Sequence, residues 1–338
     1  MAAASIKDVA RLAGVSVGTV SNVLNRPDRV SAATVDRVRA AIDELGFVRN
    51  DAARQLRVGR SSTVGLIVLD VRNPFFTDLA RGAEDRAAAA GLSVLLGNSD
   101  DDPAREAAYL DLFEEQRVHG VLISPIGDVT ERLERLRERG TPAVLVDRSG
   151  DGSGFSAVSV DDVAGGFLAV KHLIEQGRTR IAFLGGPLEI RQVADRLEGA
   201  RRAVAESPGI SLEVITAAGL TVIDGRRAGD EIAARPASSR PDAIFTVNDL
   251  IAVGVLQALV MSGRLRVPDD IALVGYDDID FASATIVPLT SVRQPSHLIG
   301  ATALELLLDA TAEPPTEPRD VVFQPELVVR ASSRPGAP

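Results

Sequence analysis

The chain has 338 residues, a formal net charge of −10 and a hydrophobic content of 45%. This length exceeds one ordinary domain, so we expect a small domain beside a large one with a substantial core. The absence of cysteine excludes disulfides, thiolate metal sites and cysteine nucleophiles. No signal peptide is recognisable before Ser5, and no apolar run approaches the roughly 20 residues that span a bilayer. We therefore expect a cytoplasmic protein that has no membrane partner.

The N-terminal segment predicts two short helices that meet across a tight turn. Ser5 and the acidic residue three positions later form a capping box for a first helix over Ile6–Ala13. Gly14 provides the positive φ of the turn, and Ser16 caps a second helix over Val17–Leu24. This arrangement is typical of a helix-turn-helix unit.

A third helix is predicted from Ser31, with an apolar stripe at helical spacing and a stop at Gly46. Residues 1–60 contain ten Lys or Arg and six Asp or Glu, whereas the whole chain is acidic. Positive charge is therefore concentrated where contact with DNA phosphates would be needed. The alternative is a small helical subdomain that simply packs on the rest of the chain.

Four short motifs carry a specific resemblance in this segment: Ile6-Lys7-Asp8-Val9-Ala10, Ala13-Gly14-Val15-Ser16, Thr19-Val20-Ser21 and Val23-Leu24-Asn25. They resemble the lactose/galactose repressor (LacI/GalR) family of transcription factors. The resemblance implies a headpiece (residues 1–49) in which the second helix enters the major groove of operator DNA. It assigns DNA contact to Ser5, Ser16, Val17, Gly18, Thr19, Ser21, Asn22, Asn25 and Arg29.

Within that set, the resemblance gives base-edge contact to the exposed side of the second helix. Asn22 can bridge the N6 and N7 atoms of adenine, and Val17 can touch a thymine methyl group. Gly18 departs from family members with a long polar side chain at this position.

Residues 50–61 follow as a helix-prone segment that is too short to be stable alone in water. From its composition it can equally be a basic interdomain linker. The resemblance implies a hinge helix that orders on the operator and places Leu56 as an apolar wedge in the minor groove. Its implied DNA-contacting residues are Asn50, Ala53, Arg54, Leu56 and Arg57.

From Thr63 onward, short β-branched runs alternate with amphipathic helical stretches in two sets of similar design. This alternation predicts an α/β core of two lobes, each a doubly wound parallel sheet covered by helices. We expect the core to span residues 62–332. The N-lobe should comprise about 62–160 and 292–320, and the C-lobe about 161–291 and 321–332. Residues 333–338 should form a disordered tail.

Polar residues follow several predicted strands, at the sheet edge where open α/β folds bind ligands. Each has a local alternative, because Asn73 and Asn248 are good helix caps and Asp147-Arg148 can be a surface ion pair. Gly275-Tyr276-Asp277-Asp278 and Leu289 to Gln294 resemble the periplasmic sugar-binding-protein fold that the family uses as its effector domain. The resemblance implies an effector site that looks more like the ribose-type pocket than the lactose-type one. It assigns sugar contact to Asn73, Phe75, Phe76, Asp147, Arg148, Arg196, Asn248, Asp277 and Gln294, and Asp70 joins this predicted set because it follows the first strand at the same sheet edge.

The resemblance thus implies a regulator, most often a repressor, that binds a palindromic operator as a homodimer and responds to a small sugar. A nucleobase or a protein co-effector is an alternative regulator of the same fold. A solute-binding protein would require export and no basic headpiece. An enzyme is disfavoured because the three histidines have no metal-ligand spacing and Gly185-Gly186-Pro187 lacks the Lys and Ser/Thr of a phosphate loop. We expect no cofactor and no metal.

Overall fold

The computed structural model describes residues 4–47, 61–150, 152–261, 263, 265–312 and 316–334. The chain divides into two compact units between Ser61 and Ser62. None of the helices within the described ranges is long and apolar enough to cross a membrane.

The N-terminal unit contains α1 (Ile6–Ala13), α2 (Val17–Asn25), a 3-10 turn (Pro27–Arg29) and α3 (Ala32–Leu45). The predicted caps are confirmed. The Asp8 carboxylate accepts hydrogen bonds from the backbone N (3.0 Å) and Oγ (2.6 Å) of Ser5. Ser16 Oγ accepts from Thr19 N at 3.1 Å. Helices α1 and α3 end at Gly14 and Gly46, which have φ values of 65° and 56°.

The three helices enclose a small core of their own that is centred on Val9, Val20, Val23 and Val38. Leu12 is an apolar residue of α1, but its side chain is 45% exposed. The helix period explains this exposure, since the side that faces α2 and α3 is already filled by Val9, Ala10 and Ala13.

The large unit has two lobes, each built on a six-stranded sheet of the described residues. The N-lobe contains β1 (Thr63–Val68), α4 (Pro74–Ala89), β2 (Ser93–Asn98), α5 (Pro103–Glu115), β3 (Val121–Ile123), α6 (Thr130–Glu138), β4 (Ala143–Val146), β5 (Ser156–Val160), α12 (Ser296–Ala310) and β11 (Asp320–Phe323). Its strand order is β11-β5-β4-β3-β1-β2, and every pair is parallel.

The C-lobe contains α7 (Asp162–Glu175), β6 (Arg180–Gly185), α8 (Arg191–Ala205), β7 (Ser211–Thr216), α9 (Val222–Ala234), β8 (Ala243–Thr246), α10 (Asp249–Met261), β9 (Ala272–Asp277), α11 (Asp280–Ala284), β10 (Thr290–Arg293) and β12 (Glu326–Val328). Its strand order is β12-β10-β9-β8-β6-β7. The predicted fold class is confirmed, with the qualification that β12 pairs antiparallel with β10 at the sheet edge.

The two later crossings between the lobes lie after Arg293 and Phe323, close to the boundaries of about 291/292 and 320/321 that we expected. Strand β10 lies wholly in the C-lobe sheet, where Arg293 pairs with Asp277 of β9. Strand β11 lies wholly in the N-lobe sheet, where Phe323 pairs with Val160 of β5. The chain therefore crosses after Arg293 and again after Phe323, because each strand first completes its ladder with a parallel neighbour.

Helices α4 and α12 of the N-lobe approach each other through glycines. A Cβ atom on Gly82 would lie 1.9 Å from the carbonyl oxygen of His297, and one on Gly300 would lie 1.9 Å from that of Leu79. Neither position has room for a side chain, so this pair of glycines sets the distance between the helices.

The C-terminal segment is ordered further than we expected. Ser333, which we placed in a disordered tail, is completely buried. Its Oγ lies 2.7 Å from both Thr290 Oγ1 and His172 Nε2. These hydrogen bonds attach the segment to β10 and α7, whereas residues 335–338 lie outside the described ranges.

Candidate functional site

A cleft of about 760 Å³ lies between the lobes, at the carboxyl ends of the parallel strands. Asp70 follows β1 and Asp147 follows β4, whereas Asn248 follows β8 and Asp277 ends β9. The topology brings these ends together because the parallel strands of each sheet all point toward the opposite lobe. The cleft is lined by eight predicted effector residues: Asp70, Asn73, Phe75, Phe76, Asp147, Arg196, Asn248 and Asp277.

Asp277 is a point of contact between the lobes. Its Oδ2 accepts a hydrogen bond from Asn73 Nδ2 of the N-lobe at 2.9 Å, and its Oδ1 accepts one from Gln294 Nε2 at 2.8 Å. The guanidinium of Arg196 lies 3.9 Å away. Burial raises the pKa of Asp277 to about 6, although Arg196, Asn73 and Gln294 oppose that rise.

Arg196 is held rigidly beneath the cleft. Its Nε donates to Asp162 Oδ1 at 2.7 Å, and its Nη1 donates to the carbonyl oxygen of Val247 at 2.7 Å. Its Cζ atom lies 3.7 Å from the ring centroid of Tyr276. A buried guanidinium that is fixed on three sides presents its donors in one orientation.

Asp147 forms a second contact between the lobes. Gln192 Nε2, on α8 of the C-lobe, donates to the Asp147 carbonyl oxygen (2.6 Å) and to Oδ2 (2.9 Å). The other carboxyl oxygen, Oδ1, is buried and has no hydrogen-bond partner among the described residues. Burial, with a further contribution from Asp162, raises the pKa of Asp147 to about 8. Asp147 can therefore exchange a hydrogen bond with a hydroxyl group of a ligand.

The helix caps that were the alternative interpretation of Asn73 and Asn248 are present as well. Asn73 Oδ1 accepts from Phe75 N at 3.1 Å while its amide reaches Asp277, so this residue both caps α4 and bridges the cleft. Asn248 Oδ1 accepts from Ile251 N at 2.9 Å. The rings of Phe75 and Phe76 meet edge to face, with centroids 5.0 Å apart, and supply the apolar wall.

Two predicted effector residues do not line the cleft. Arg148 Nη1 donates to the carbonyl oxygen of Gly127, and its side chain lines neighbouring cavities of the N-lobe surface and of the lobe boundary. Gln294 lies behind Asp277, where it contacts that carboxylate from the connection after β10. Neither side chain lines the cleft, because side-chain direction at a strand end depends on the neighbouring loop, and effector contact by these two residues stays a prediction.

The cleft also contains residues that the sequence did not single out. Gln192 lies four positions before Arg196, so the i, i+4 spacing on one helix could have indicated it. Asp162, on α7, carries the ion pair with Arg196 but does not itself line the cleft. The other additional lining residues are Leu69, Arg72, Asp101, Ile190, Val193, Gly219, Leu220, Thr221, Val247 and Leu250.

The cations of the cleft are already paired. Arg72 Nε lies 2.9 Å from Asp70 Oδ1, and its Nη2 lies 2.7 Å from Asp100. Asp101 lies beside this pair, and burial raises its pKa to about 6, helped by the neighbouring carboxylates. Because acids outnumber arginines in the lining, the cleft suits a neutral ligand rich in hydroxyl groups rather than an anion. Within the described residues, no group of three or more acidic or histidine side chains can hold a metal ion.

In the N-terminal unit, one side of α2 is open to solvent. Val17 is 40% exposed, and Gly18 and Asn22 are exposed beside it, whereas Val20 and Val23 are buried. Ser5, Ser16 and Arg29 are exposed, and Thr19 and Ser21 are half-buried. Asn25 ends α2. The predicted hinge contacts Asn50, Ala53, Arg54, Leu56 and Arg57 lie outside the described residues.

Comparisons with known proteins found matches for both the N-terminal unit and the large unit. Residues 5–50 match the family described as bacterial regulatory proteins, lacI family, and residues 170–333 match a periplasmic binding protein-like domain. The chain is 36% identical to the HTH-type transcriptional repressor PurR of Aliivibrio fischeri (strain MJ11) over 97% of this chain and 98% of that protein. It is 35% identical to the ribose operon repressor of Escherichia coli (strain K12) over 98% of this chain and 100% of that protein.

Among solved structures, the lac repressor dimer bound to operator and the anti-inducer ONPF superimposes with a TM-score of 0.83 at 28% identity, covering 98% of this chain and 99% of that chain. The helix-turn-helix headpiece, the two-lobed core and the full-length similarity to repressors all lead to one assignment. The chain belongs to the LacI family of bacterial regulatory proteins and is a transcriptional repressor, not an enzyme.

Proposed function

We propose that this repressor binds a palindromic operator as a homodimer and that a small neutral sugar, a pentose or hexose, changes its operator affinity. The regulated genes would serve uptake or catabolism of that sugar. Operator binding requires access to the chromosome, so we place the protein in the cytoplasm.

The observation that carries the sugar proposal is the pair of buried carboxyl groups on opposite lobes. Asp147 belongs to the N-lobe and Asp277 to the C-lobe, and both line the same cleft. Their raised pKa values let them donate or accept hydrogen bonds, as the hydroxyl groups of a sugar require. Phe75 and Phe76 provide the apolar surface for the ring face. We place ribose first, because the ribose operon repressor is a full-length relative.

The same cleft disfavours a phosphorylated sugar. Arg72 and Arg196 are its only arginines among the described lining residues, and both are engaged by carboxylates. A phosphate group would have to displace one of these pairs and lie near Asp70 or Asp277. We therefore expect ribose 5-phosphate to bind much more weakly than ribose.

A nucleobase is the second candidate, and the apolar wall favours it. Phe75 and Phe76 are both buried in the cleft, where a planar ring could pack against them. The polar side chains on the facing C-lobe, Asp277 and Asn248, can also hydrogen-bond the edge of a base. Calorimetric titration with sugars and with nucleobases separates the two ligand classes.

We propose that the homodimer forms in part through an exposed apolar segment of the C-lobe. Phe281 is 61% exposed and Ile286 is 79% exposed, five residues apart around α11. Isolated exposed apolar residues are common, but two large ones in one short segment favour an interface. Phe281→Asp should shift the sedimentation equilibrium of the full chain toward monomer, whereas Met261→Asp, at an exposed position on α10, should leave it unchanged.

Binding of the sugar and binding of the operator DNA are linked through the relative orientation of the two lobes. A sugar that contacts both Asp147 and Asp277 favours one relative orientation of the lobes, and operator DNA bound by the dimer favours one orientation as well. A coupling free energy of about 1–3 kcal/mol would change operator affinity about 5- to 150-fold.

The deciding experiment is calorimetric titration of the full chain with ribose, ribose 5-phosphate, glucose, hypoxanthine and guanine. The operator is selected from random DNA with the same protein, and its affinity is then measured with and without each ligand that binds. We expect ribose or glucose to bind and to change operator affinity. Binding of a nucleobase alone, or of no tested sugar, would overturn the sugar proposal.

A matched pair of variants tests the site in the same titration. Asp277→Asn should weaken sugar binding about 10- to 100-fold, because buried donors lose a charged partner. Asp280→Asn removes the same charge from an exposed position three residues away and should bind like the wild type.

A further inference from the structure

Asp277 and Asp278 are consecutive residues that face different parts of the molecule. Both have left-handed backbone conformations, with φ values of 104° and 52°. Asp277 lines the cleft and bonds to Asn73 of the N-lobe. Asp278 does not line the cleft; its side chain is 4% exposed and lies at the connections between the lobes.

Asp278 binds both arms of the chain segment that leaves the C-lobe and returns to it. Its Oδ2 accepts from Nε of Arg293, the last residue of β10, at 2.8 Å. Its Oδ1 accepts from Nη1 of Arg330, two residues after β12, at 2.6 Å. Between these two arginines the chain enters the N-lobe as α12 and β11 and comes back. One carboxylate therefore joins the departure and the return of the crossing.

The two arginines are themselves anchored. Arg330 Nη1 also donates to the carbonyl oxygen of Leu289 at 2.7 Å, and its backbone N donates to Thr290 Oγ1 at 2.8 Å. Arg293 Nη1 lies 3.4 Å from Glu326 on β12. Arg330 is mostly buried, with 16% of its side chain exposed, so its pair with Asp278 is little screened by solvent.

Hydrogen bonds to Ser291 and Asp249 fix the backbone around Asp277 and Asp278. Ser291 Oγ lies 3.0 Å from Asp278 N and donates to Oδ1 of the fully buried Asp249 at 2.7 Å. Asp249 Oδ2 accepts from Ile279 N at 2.9 Å. These bonds hold residues 277–279 in one conformation. A change in the direction of Asp277 therefore requires a change at Asp278, and through Asp278 at Arg293 and Arg330.

We propose that Asp278 is a positioning residue that couples occupancy of the cleft to the relative orientation of the lobes, through its ion pairs with Arg293 and Arg330. Asp278 does not touch the ligand. It transmits the position of Asp277 to the two connections between the lobes, one that follows β10 and one that returns to the C-lobe before Arg330. This role rests on the proposed function, because it concerns the response to the sugar.

The first arm of the test needs no ligand. Amide hydrogen exchange of the full chain is compared between wild type, Asp278→Asn and the control Asp280→Asn. The Asn side chain preserves shape but removes the charge that holds two guanidinium groups. We expect faster exchange in Asp278→Asn within residues 289–293 and 326–330, and wild-type exchange in Asp280→Asn. Unchanged exchange at those residues in Asp278→Asn overturns the proposal.

The second arm measures coupling with ribose as the probe. Operator affinity with and without ribose is measured for the same three proteins, together with ribose affinity. We expect Asp278→Asn to bind ribose within about threefold of the wild type while its ribose-dependent change in operator affinity falls from about 5- to 150-fold toward one. Full coupling in Asp278→Asn overturns the proposal even if exchange is faster.

A further variant keeps the test valid if Asp278→Asn folds poorly. Arg330→Lys retains the positive charge but loses the guanidinium Nη1 that donates to both Asp278 and Leu289, so exchange and coupling should change in the same direction to a smaller extent. If the wild type itself does not respond to ribose, the proposed function fails for that sugar. The coupling arm is then repeated with the ligand that binds in the calorimetric titration, while the exchange arm still tests the ion pairs of Asp278.

Discussion

Asn73 Nδ2 lies 2.9 Å from Asp277 Oδ2, and this hydrogen bond joins the N-lobe to the C-lobe across the cleft. The same side chain accepts a hydrogen bond from Phe75 N through its Oδ1 atom. A single amide thus serves helix capping with its oxygen and lobe contact with its nitrogen. The two roles can be separated by a substitution that changes only one end of the amide.

Asn73→Asp should do so, because it keeps an oxygen for the cap but places a second carboxylate against Asp277. We expect sugar affinity to fall about 10- to 100-fold, since like charges at this distance in a buried site repel and a donor is lost. Lower pH should restore part of the affinity as one carboxyl group takes up a proton. Thr77→Asp adds the same charge at an exposed position of α4 and should bind normally in calorimetry.

Asp147 makes the free energy of unfolding fall as pH rises, which is opposite to the usual effect of an acidic residue. Its pKa is raised to about 8 in the folded protein, whereas an unfolded Asp ionises near its ordinary value of 3.8. Below pH 3.8 Asp147 is protonated in both the folded and the unfolded state, so its ionisation does not change the free energy of unfolding. As pH rises from about 4 toward 8 the unfolded state loses its proton first, so the free energy of unfolding falls.

Asp147→Asn should therefore be more stable than the wild type at pH 8 by a few kcal/mol, given about 1.4 kcal/mol per pKa unit, and about equal to it at pH 4. Urea denaturation at both values measures the difference. For the control, Asp128→Asn, we expect the opposite pH dependence. Hydrogen bonds from Thr130 lower the pKa of Asp128, so its contribution to the free energy of unfolding is lost as pH falls. A constant difference between Asp147→Asn and wild type across this range would contradict the buried, protonated carboxyl group.

Gly82 tests the close contact between α4 and α12. Gly82→Ala would bring a methyl group to 1.9 Å from the carbonyl oxygen of His297, so the helices must separate. We expect a loss of about 1–3 kcal/mol in the free energy of unfolding, as for other overpacked sites. Gly127→Ala has no atom within 4 Å of its Cβ position and should change stability by less than about 0.5 kcal/mol. Equal stability of the two variants would show that the helices can adjust without cost.

Asn22 is exposed on the open side of α2, where it can read a base edge. Asn22→Ala should relax the preference for one base pair in each half-site, at a cost of about 1–3 kcal/mol for the preferred base. Binding to operators substituted one position at a time measures this directly. Asp43→Ala, at an exposed position of α3 outside the predicted DNA contacts, should leave the pattern of preference intact. An unaltered preference in Asn22→Ala would remove the base-reading role.

Leu56 belongs to the segment that the family resemblance identifies as the hinge helix. Leu56→Ala should weaken operator binding, because a smaller side chain cannot hold open a base step in the minor groove. Sugar binding, which depends on the cleft, should be unchanged in calorimetry. Operator affinity equal to that of the wild type would rule out the wedge.

The sequence predicted the headpiece closely, and the reason is local. Caps such as Ser16 and stops such as Gly14 act within one turn of the helix that they begin or end. The order of strands and helices in the core was also predictable, because alternating β-branched and amphipathic segments require parallel sheets covered by helices. Eight of the ten proposed cleft residues could be named because polar residues follow the strands at one edge of the sheets.

Other features depended on contacts between residues that are far apart in the chain. The partner of Asp147 is Gln192, 45 positions away, and that of Asn73 is Asp277, 204 positions away. Arg148 follows a strand like its neighbour Asp147, yet its side chain turns toward Gly127, away from the cleft. The crossings lie after Arg293 and Phe323 because β10 and β11 pair with parallel neighbours, and Ser333 is buried through its contacts with Thr290 and His172. Local propensity determines where an element begins and ends, but hydrogen-bond partners and burial are decided by which elements the tertiary fold brings together.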